Sequence, residues 1–290
     1  MAGFDYFSPQ RLEEAVSLLR RYGNKAALLA GGTDFLLRLE RRLVAPSVVI
    51  DLKKIRDLRG IKSNRSGLRI GAATLMEEIA SSPLVQARYG IIAKGAAVVG
   101  SIQTRNRATL GGNLCNASPA ADTAPPLIAL GAQARIAGAR RVREVPLEEF
   151  FLGPGKTCLK TNELLKEISI PSPAERSGGS FQRCTRTAMD IALVNCAVFL
   201  CLAPKGEIIA DIRIALGAVA PTPVRSLPAE DVLKGKRPTK KLVEEAANRA
   251  AAGVKPIDDV RSSASYRRAM VRVLTKRAIE EALREATGGA

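Results

Sequence analysis

Apolar residues at Leu12, Ala15, Val16 and Leu19 recur at helical spacing among charged neighbours, which predicts an amphipathic first helix. Ser8 is placed as its N-cap, Pro9 suits its first position, and Gly23 ends it. The uncharged run Ala26 to Ala30 predicts a strand that enters a glycine pair directly. A helix over Phe35 to Arg42 and a strand over Ser47 to Leu52 complete a helix–strand–loop–helix–strand unit. From Gly67 the pattern shortens to brief strands and capped helices. Thr74 with Glu77 has capping-box spacing, and Ser82-Pro83 can open another helix. An apolar run then covers Leu127 to Ala134, a strand-like segment covers Ala134 to Val145, and a strand over Leu164 to Ile170 stops at Pro171.

Pro171 to Ser180 (PSPAERSGGS) has the composition of a linker, and the texture beyond it differs. Two long strands, Ala192 to Ala203 and Ile208 to Val219, are joined by the turn Pro204-Lys205-Gly206, and two helices follow. Thr239 caps and Gly253 stops a helix over Lys240 to Ala252. The last helix, about Ser265 to Ala286, carries Tyr266, Met270, Val273, Leu274, Ile279 and Leu283 as its core face, with Arg267, Arg268, Arg272, Lys276 and Arg277 mostly opposite. The expected organisation is α+β with a boundary near residue 175: one domain over 1–175, in subdomains of about 1–60 and 61–175, and a second over 176–290.

Composition narrows the chemistry. At 290 residues, 46% apolar and 25% charged, the chain can build two cores. No stretch reaches the roughly 18 consecutive apolar residues of a membrane span, and MAGFDYFSPQ lacks the basic head and apolar run of a leader, so a cytoplasmic location is expected. Five scattered cysteines without a C-x-x-C pair argue against a disulfide framework and a cysteine-held cluster. With no histidine there is no imidazole base, no Ser-His triad and no histidyl-linked flavin. The net charge of +17 suggests nucleic acid, an anionic membrane surface, or an acidic ligand or partner, but the basic pairs are spread along the chain, and the few aromatics disfavour a base-stacking surface.

Two motifs carry the candidate chemistry. AGGTD, Ala30 to Asp34, is a strand-to-helix turn in which glycines can take positive φ and bring backbone N–H groups to an anion; a ligand-free tight turn fits the same residues. TLGGN, Thr109 to Asn113, repeats the device between QTRNR and SPAAD, and two such loops suit the adjacent phosphates of a diphosphate. Asp122 can accept from ribose hydroxyls or cap a helix, and Arg105 and Arg107 can order the loop through backbone carbonyls or lie in solvent. GPGKT at Gly153 to Thr157 is no triphosphate loop, because Phe150 stands where that loop needs glycine, and no G-x-G-x-x-G follows the first strand.

In order and spacing, AGGTD, QTRNRATLGGNLCNASPAAD, ELLKEISIP, FQRCTRTAMDIALVN, LGAVAPTPVR and DDVRSSASYRRAMVRVLTKRA resemble the FAD-binding middle subunit of the molybdenum hydroxylases, over essentially the whole chain. That family includes the medium subunit of aerobic carbon monoxide dehydrogenase and the FAD domain of xanthine dehydrogenase. The resemblance implies a PCMH-type (vanillyl-alcohol-oxidase-like) FAD-binding domain followed by a carbon monoxide dehydrogenase flavoprotein-type α+β domain. It implies that Leu28, Leu29, Ala30, Gly31, Gly32, Thr33, Asp34 and Phe35 wrap the pyrophosphate of a non-covalent FAD, and that Thr109, Gly111, Gly112 and Asn113 complete the cradle. Asp122 then falls at the adenosine part, and Val99, Lys166 and Ile191 at flavin-ring positions, Val99 in place of an aromatic. Arg183 stands where the family often has lysine, and a fixed cation there would favour reduced, anionic flavin. The iron–sulfur insertion of 4-hydroxybenzoyl-CoA reductases has no counterpart here.

The resemblance further implies an oxidoreductase flavoprotein without catalytic residues or metal of its own. It would pass electrons from two iron–sulfur clusters on a small subunit, fed by molybdopterin on a large subunit, to an external acceptor, within a dimer of heterotrimers that does not bind nucleic acid. The alternatives are a stand-alone PCMH-fold flavin reductase and a basic nucleic-acid-binding module.

Overall fold

The computed structural model describes residues 3–288. The first unit is a three-stranded parallel sheet, β1 (Asp5–Phe7), β2 (Ala26–Leu29) and β3 (Val48–Asp51), in the order β1-β3-β2. β3 is central and buried at all four positions, as a continuous VVID run requires. Helix α1 (Leu12–Tyr22) lays Leu12, Ala15, Val16 and Leu19 on this sheet and ends at Gly23, whose φ is 52°. It starts three residues later than Pro9 would place it. Gln10 N–H and Arg11 instead bond Glu14, at 3.1 and 2.7 Å, and Ser8 caps nothing. Helix α2 (Phe35–Glu40) follows the first glycine pair.

The second unit is a five-stranded antiparallel sheet of order β4-β5-β10-β6-β7: β4 (Ile61–Asn64), β5 (Gly67–Gly71), β6 (Gln133–Ala137), β7 (Val142–Pro146) and β10 (Leu164–Pro171). The expected single strand over Ala134 to Val145 is thus a hairpin, β6–β7, folded at residues 138–141. A small hairpin, β8 (Phe151–Gly153) and β9 (Lys156–Thr157), contains GPGKT. Six short helices pack beside the sheet: α3 (Met76–Ser81), α4 (Pro83–Arg88), α5 (Gly90–Ala97), α6 (Ile102–Arg105), α7 (Leu110–Asn116) and α8 (Ala124–Ala129). A single turn, α9 (Leu147–Phe150), leads into β8. Ser82 does cap α4, with Pro83 at its first position. The expected box at Thr74 and Glu77 is shifted by one residue: Leu75 N–H donates to Glu78, while the Thr74 hydroxyl is buried against Gly60.

The third unit is a four-stranded antiparallel sheet, β11 (Ser177–Cys184), β12 (Val194–Leu202), β13 (Ile209–Gly217) and β14 (Val224–Arg225), with helices α10 (Leu227–Leu233), α11 (Lys240–Ala252) and α12 (Ala264–Ala286) on one face. Three helices therefore follow the strands, one more than expected. Alternation on β12 assigns its faces: Val194, Cys196, Val198 and Leu200 pack on the α12 side, while Ala197 joins the core around α8. The segment SGGS, expected in the linker, is strand. A Cβ on Gly178 would stand 2.1 Å from Ala282 O in α12, and one on Gly179 would stand 2.9 Å from Ile91 in α5, so each glycine admits a helix on one face of β11. On α12 the buried line is Arg267, Val271, Leu274, Ala278, Ile279 and Ala282, with Tyr266 half exposed. Arg267 enters this core because it donates to the carbonyl of Leu193 at 2.6 Å and to Asp259 at 2.8 Å. No described helix is long and apolar enough to cross a membrane.

Candidate functional site

Strand β2 delivers the chain into the turn Ala30 to Asp34 at the edge of a cleft of about 940 Å³. Only Gly32 of the pair takes positive φ, at 80°. Gly31 is needed for another reason: a Cβ there would lie 2.0 Å from Arg107 O, so this turn rests backbone to backbone on the approach to the second glycine motif. A second clasp is the Asn116 amide, which donates to Asp34 Oδ1 at 3.1 Å. Among the described residues, no protein acceptor receives the backbone N–H groups of Gly31, Gly32, Thr33, Asp34 and Phe35, which leaves a run of free donors at the wall of the cleft.

The two glycine motifs do not act alike. In the second, Thr109 caps α7 by accepting Gly112 N–H at 3.1 Å, Gly111 N–H donates to Ala72 O at 2.7 Å, and Asn113 N–H to Thr109 O at 3.0 Å. These donors are spent on the fold, and neither glycine has positive φ. Gly111 lets α7 lie against Ala72, which a Cβ would meet at 2.7 Å. Asn113 contributes through its side chain: its Oδ1 is taken by the Thr123 hydroxyl at 2.6 Å, which leaves its NH₂ as the available group.

Asp122 is buried, its Oδ1 accepts from Asn195 Nδ2 at 2.8 Å, and Arg183 Nε stands 3.2 Å away. Burial pushes its carboxyl up to about 6, with Arg183 and Asn195 pulling the other way. Arg183 also donates to the carbonyls of Ala188 and Asp190, and so fixes the loop that brings Met189 and Ile191 to the cleft. Asp122 and Arg183, expected at different ends of a cofactor, are thus in contact with each other.

Leu28, Ala30 to Phe35, Val99, Thr109, Gly111, Gly112, Asn113, Asp122, Arg183 and Ile191 all line the cleft. Leu29 and Lys166 do not. Leu29 is buried beneath the turn, and Lys166 is the extra residue where the β10–β6 register shifts between Leu165 and Glu167, its carbonyl held by Ala72 N–H. The bulge presents Leu165 to the cleft instead. Asn116, Ser118, Met189 and Asn195 were missed as functional positions although they lie inside the NLCNASPAAD and FQRCTRTAMDIALVN blocks. Leu159 and Leu165 gave no signal beyond ordinary apolar strand character. Arg105 sits between Glu77, at 2.8 Å, and the carbonyl of Gly100, the loop-ordering role considered for it.

Five free N–H groups, a side-chain amide, a buried carboxylate and apolar walls in one long cleft make a donor set that fits a dinucleotide cofactor with its diphosphate at the first turn. The fold and site define a two-part α+β protein built to hold such a cofactor between a mixed N-terminal half and an antiparallel C-terminal sheet. Residues 2–173 match the family model described as the FAD binding domain in molybdopterin dehydrogenase, and residues 179–282 the carbon monoxide dehydrogenase flavoprotein C-terminal domain. The chain is 38% identical over 279 residues to the carbon monoxide dehydrogenase medium chain of Hydrogenophaga pseudoflava, with 96% of each chain covered. It is 34% identical to the putative xanthine dehydrogenase FAD-binding subunit of Escherichia coli K12, over 98% of this chain and 99% of that one. The solved carbon monoxide dehydrogenase from Hydrogenophaga pseudoflava superposes with a TM-score of 0.92 at 39% identity, covering 96% of both chains, and quinoline 2-oxidoreductase from Pseudomonas putida 86 with 0.90 at 32%, covering 98% of both. The chain belongs to the family of FAD-binding subunits of the molybdenum hydroxylases.

Proposed function

We propose that this chain is the flavin relay of a cytoplasmic molybdenum hydroxylase, assembled with a small iron–sulfur subunit and a large molybdopterin subunit as a dimer of heterotrimers, and that its FAD-binding domain ends near residue 175. The run of free N–H groups from Gly31 to Phe35 carries the reading, because no acceptor among the described residues uses them and a diphosphate would. FAD, when bound, would supply two-electron chemistry between the partner's iron–sulfur clusters and an external acceptor. The chain's residues hold and orient it. Gly31 to Phe35 donate to the pyrophosphate, and the Asn113 amide adds a further donor. Val99 and Ile191 would give the ring apolar contact. Asp122, fixed beside Arg183 and lining the cleft with Ile191, would accept from a hydroxyl of the cofactor, and the Arg183 cation would favour the reduced, anionic form. Relatives are named medium chains, which supports the multi-subunit assembly.

The test is anaerobic mixing of the purified chain with its iron–sulfur and molybdopterin partners and the substrate of the complex. Flavin bleaching is expected only when both partners are present. Bleaching by the chain alone with substrate or a nicotinamide would instead support the stand-alone reductase.

A further inference from the structure

Arg20, at the end of α1, meets the 138–141 connection of the β6–β7 hairpin across a groove of about 400 Å³, walled also by Arg143, Lys160 and Glu163. Beneath it Ala137 and Leu164 share a core with Leu12, Ala15, Val16 and Leu19 of α1, so the groove sits on a seam between the first two sheets. Its one carboxylate is already spent. Glu163 takes the Arg143 guanidinium with both oxygens, at 2.9 and 2.8 Å, and Lys160 N–H at 2.9 Å, while Arg143 also donates to Cys158 O at 3.0 Å. Arg143 is thereby locked as part of the wall. Among the described residues, Arg20, Arg140, Arg141 and Lys160 make no ion pair and no side-chain hydrogen bond. Four cations around one concavity, Lys160 partly offset by Glu163 and the three arginines without a partner, repel each other, and a bound anion would relieve that repulsion. Three of the four are guanidiniums, whose planar forks match tetrahedral phosphate oxygens in pairs. The volume suits a small molecule, and no aromatic lines the groove to stack a base.

We propose that this groove is an anion site for a small phosphate-bearing ligand, separate from the FAD cleft, and that the ligand ties α1 to the β6–β7 hairpin across the seam. None of these residues lines the cofactor cleft. The inference therefore does not depend on the flavin reading.

The test uses the full-length, FAD-loaded protein near physiological ionic strength, with inorganic pyrophosphate as the probe, followed by calorimetry and thermal unfolding. One saturable site is expected, with a Tm that rises with pyrophosphate. Binding should weaken about tenfold or more in R140Q/R141Q and in R20Q, since each loses charge-assisted bonds. The exposed pair K240Q/K241Q should bind as the parent does. Flavin absorbance and the ligand-free Tm report whether each variant is folded, and R20Q stands in if the double variant is not. Equal affinity in parent and arginine variants overturns the proposal, as does an equal loss in K240Q/K241Q, which would mean bulk charge alone. Displacement of pyrophosphate by duplex DNA at much lower concentration also overturns it, and would assign the groove to nucleic acid. Should the chain fail to take up FAD, the same difference between parent and arginine variants is still read.

Discussion

A methyl group on residue 31 would stand 2.0 Å from the carbonyl oxygen of Arg107, a distance that backbone on both sides cannot relieve without moving one loop. Gly31→Ala should therefore separate the turn from the second motif, cost about 1–3 kcal/mol as overpacking does, and abolish flavin retention. Gly32→Ala faces side chains of Leu36 and Leu29 rather than backbone, and its main penalty is the positive φ, about 1–2 kcal/mol. Thermal unfolding with flavin quantitation separates the two; flavin retained in Gly31→Ala would contradict the packing assigned to that turn. Asp122 gives a pH signature. Its folded pKa of about 6 lies above the usual 3.8, so the unfolded chain gives up the proton first. The stability it contributes is full below about pH 4 and lost as pH rises through about 6. In flavin-free protein, Asp122→Asn should lack that slope, so that parent stability falls relative to the variant by about 2–3 kcal/mol from pH 4 to pH 7. Parallel denaturation curves across that window would contradict it.

The loop between β11 and β12 lines the cleft with Met189, Asp190 and Ile191. Arg183 ties it at the carbonyls of Ala188 and Asp190 and anchors itself on Asp122 from the other half of the chain. Arg183→Lys keeps the charge but cannot span these acceptors together. Flavin affinity should drop about tenfold, the order of one or two charge-assisted bonds, with the far-ultraviolet spectrum unchanged; titration of the apo-protein with FAD checks it. Legibility at this scale follows whether a signal is local. α11 was plain because Thr239 caps it, with Leu242 N–H at 3.2 Å, and Gly253 stops it. β1 is three residues without alternation and exists only because β3 accepts it. The SGGS strand reads as linker because its glycines serve helices 88 and 104 positions away in sequence, at Ile91 and Ala282, and no local pattern encodes that. The same holds for the site: both glycine motifs were visible, but that one offers donors and the other spends them depends on Ala72 and Thr109, seen only once folded.

At the scale of the whole molecule, the cofactor cleft is closed by both halves, with Gly31 to Phe35 on one side and Arg183 and Ile191 on the other. Asp122, Arg183 and Asn195 join them at the floor. Flavin binding and docking of the halves should therefore be linked, and Tm should rise with added FAD by mass action. Part of the net charge of +17 gathers in the arginine groove over the α1 seam, while basic pairs such as Arg41-Arg42 and Lys240-Lys241 lie elsewhere along the chain. The central claim is that this cleft holds FAD without a covalent bond. Acid precipitation of the purified full-length chain tests it most directly: the account predicts FAD in the supernatant at about one per chain and a colourless pellet. A chain purified without flavin that takes none up on titration, or flavin that stays with the pellet, would contradict it.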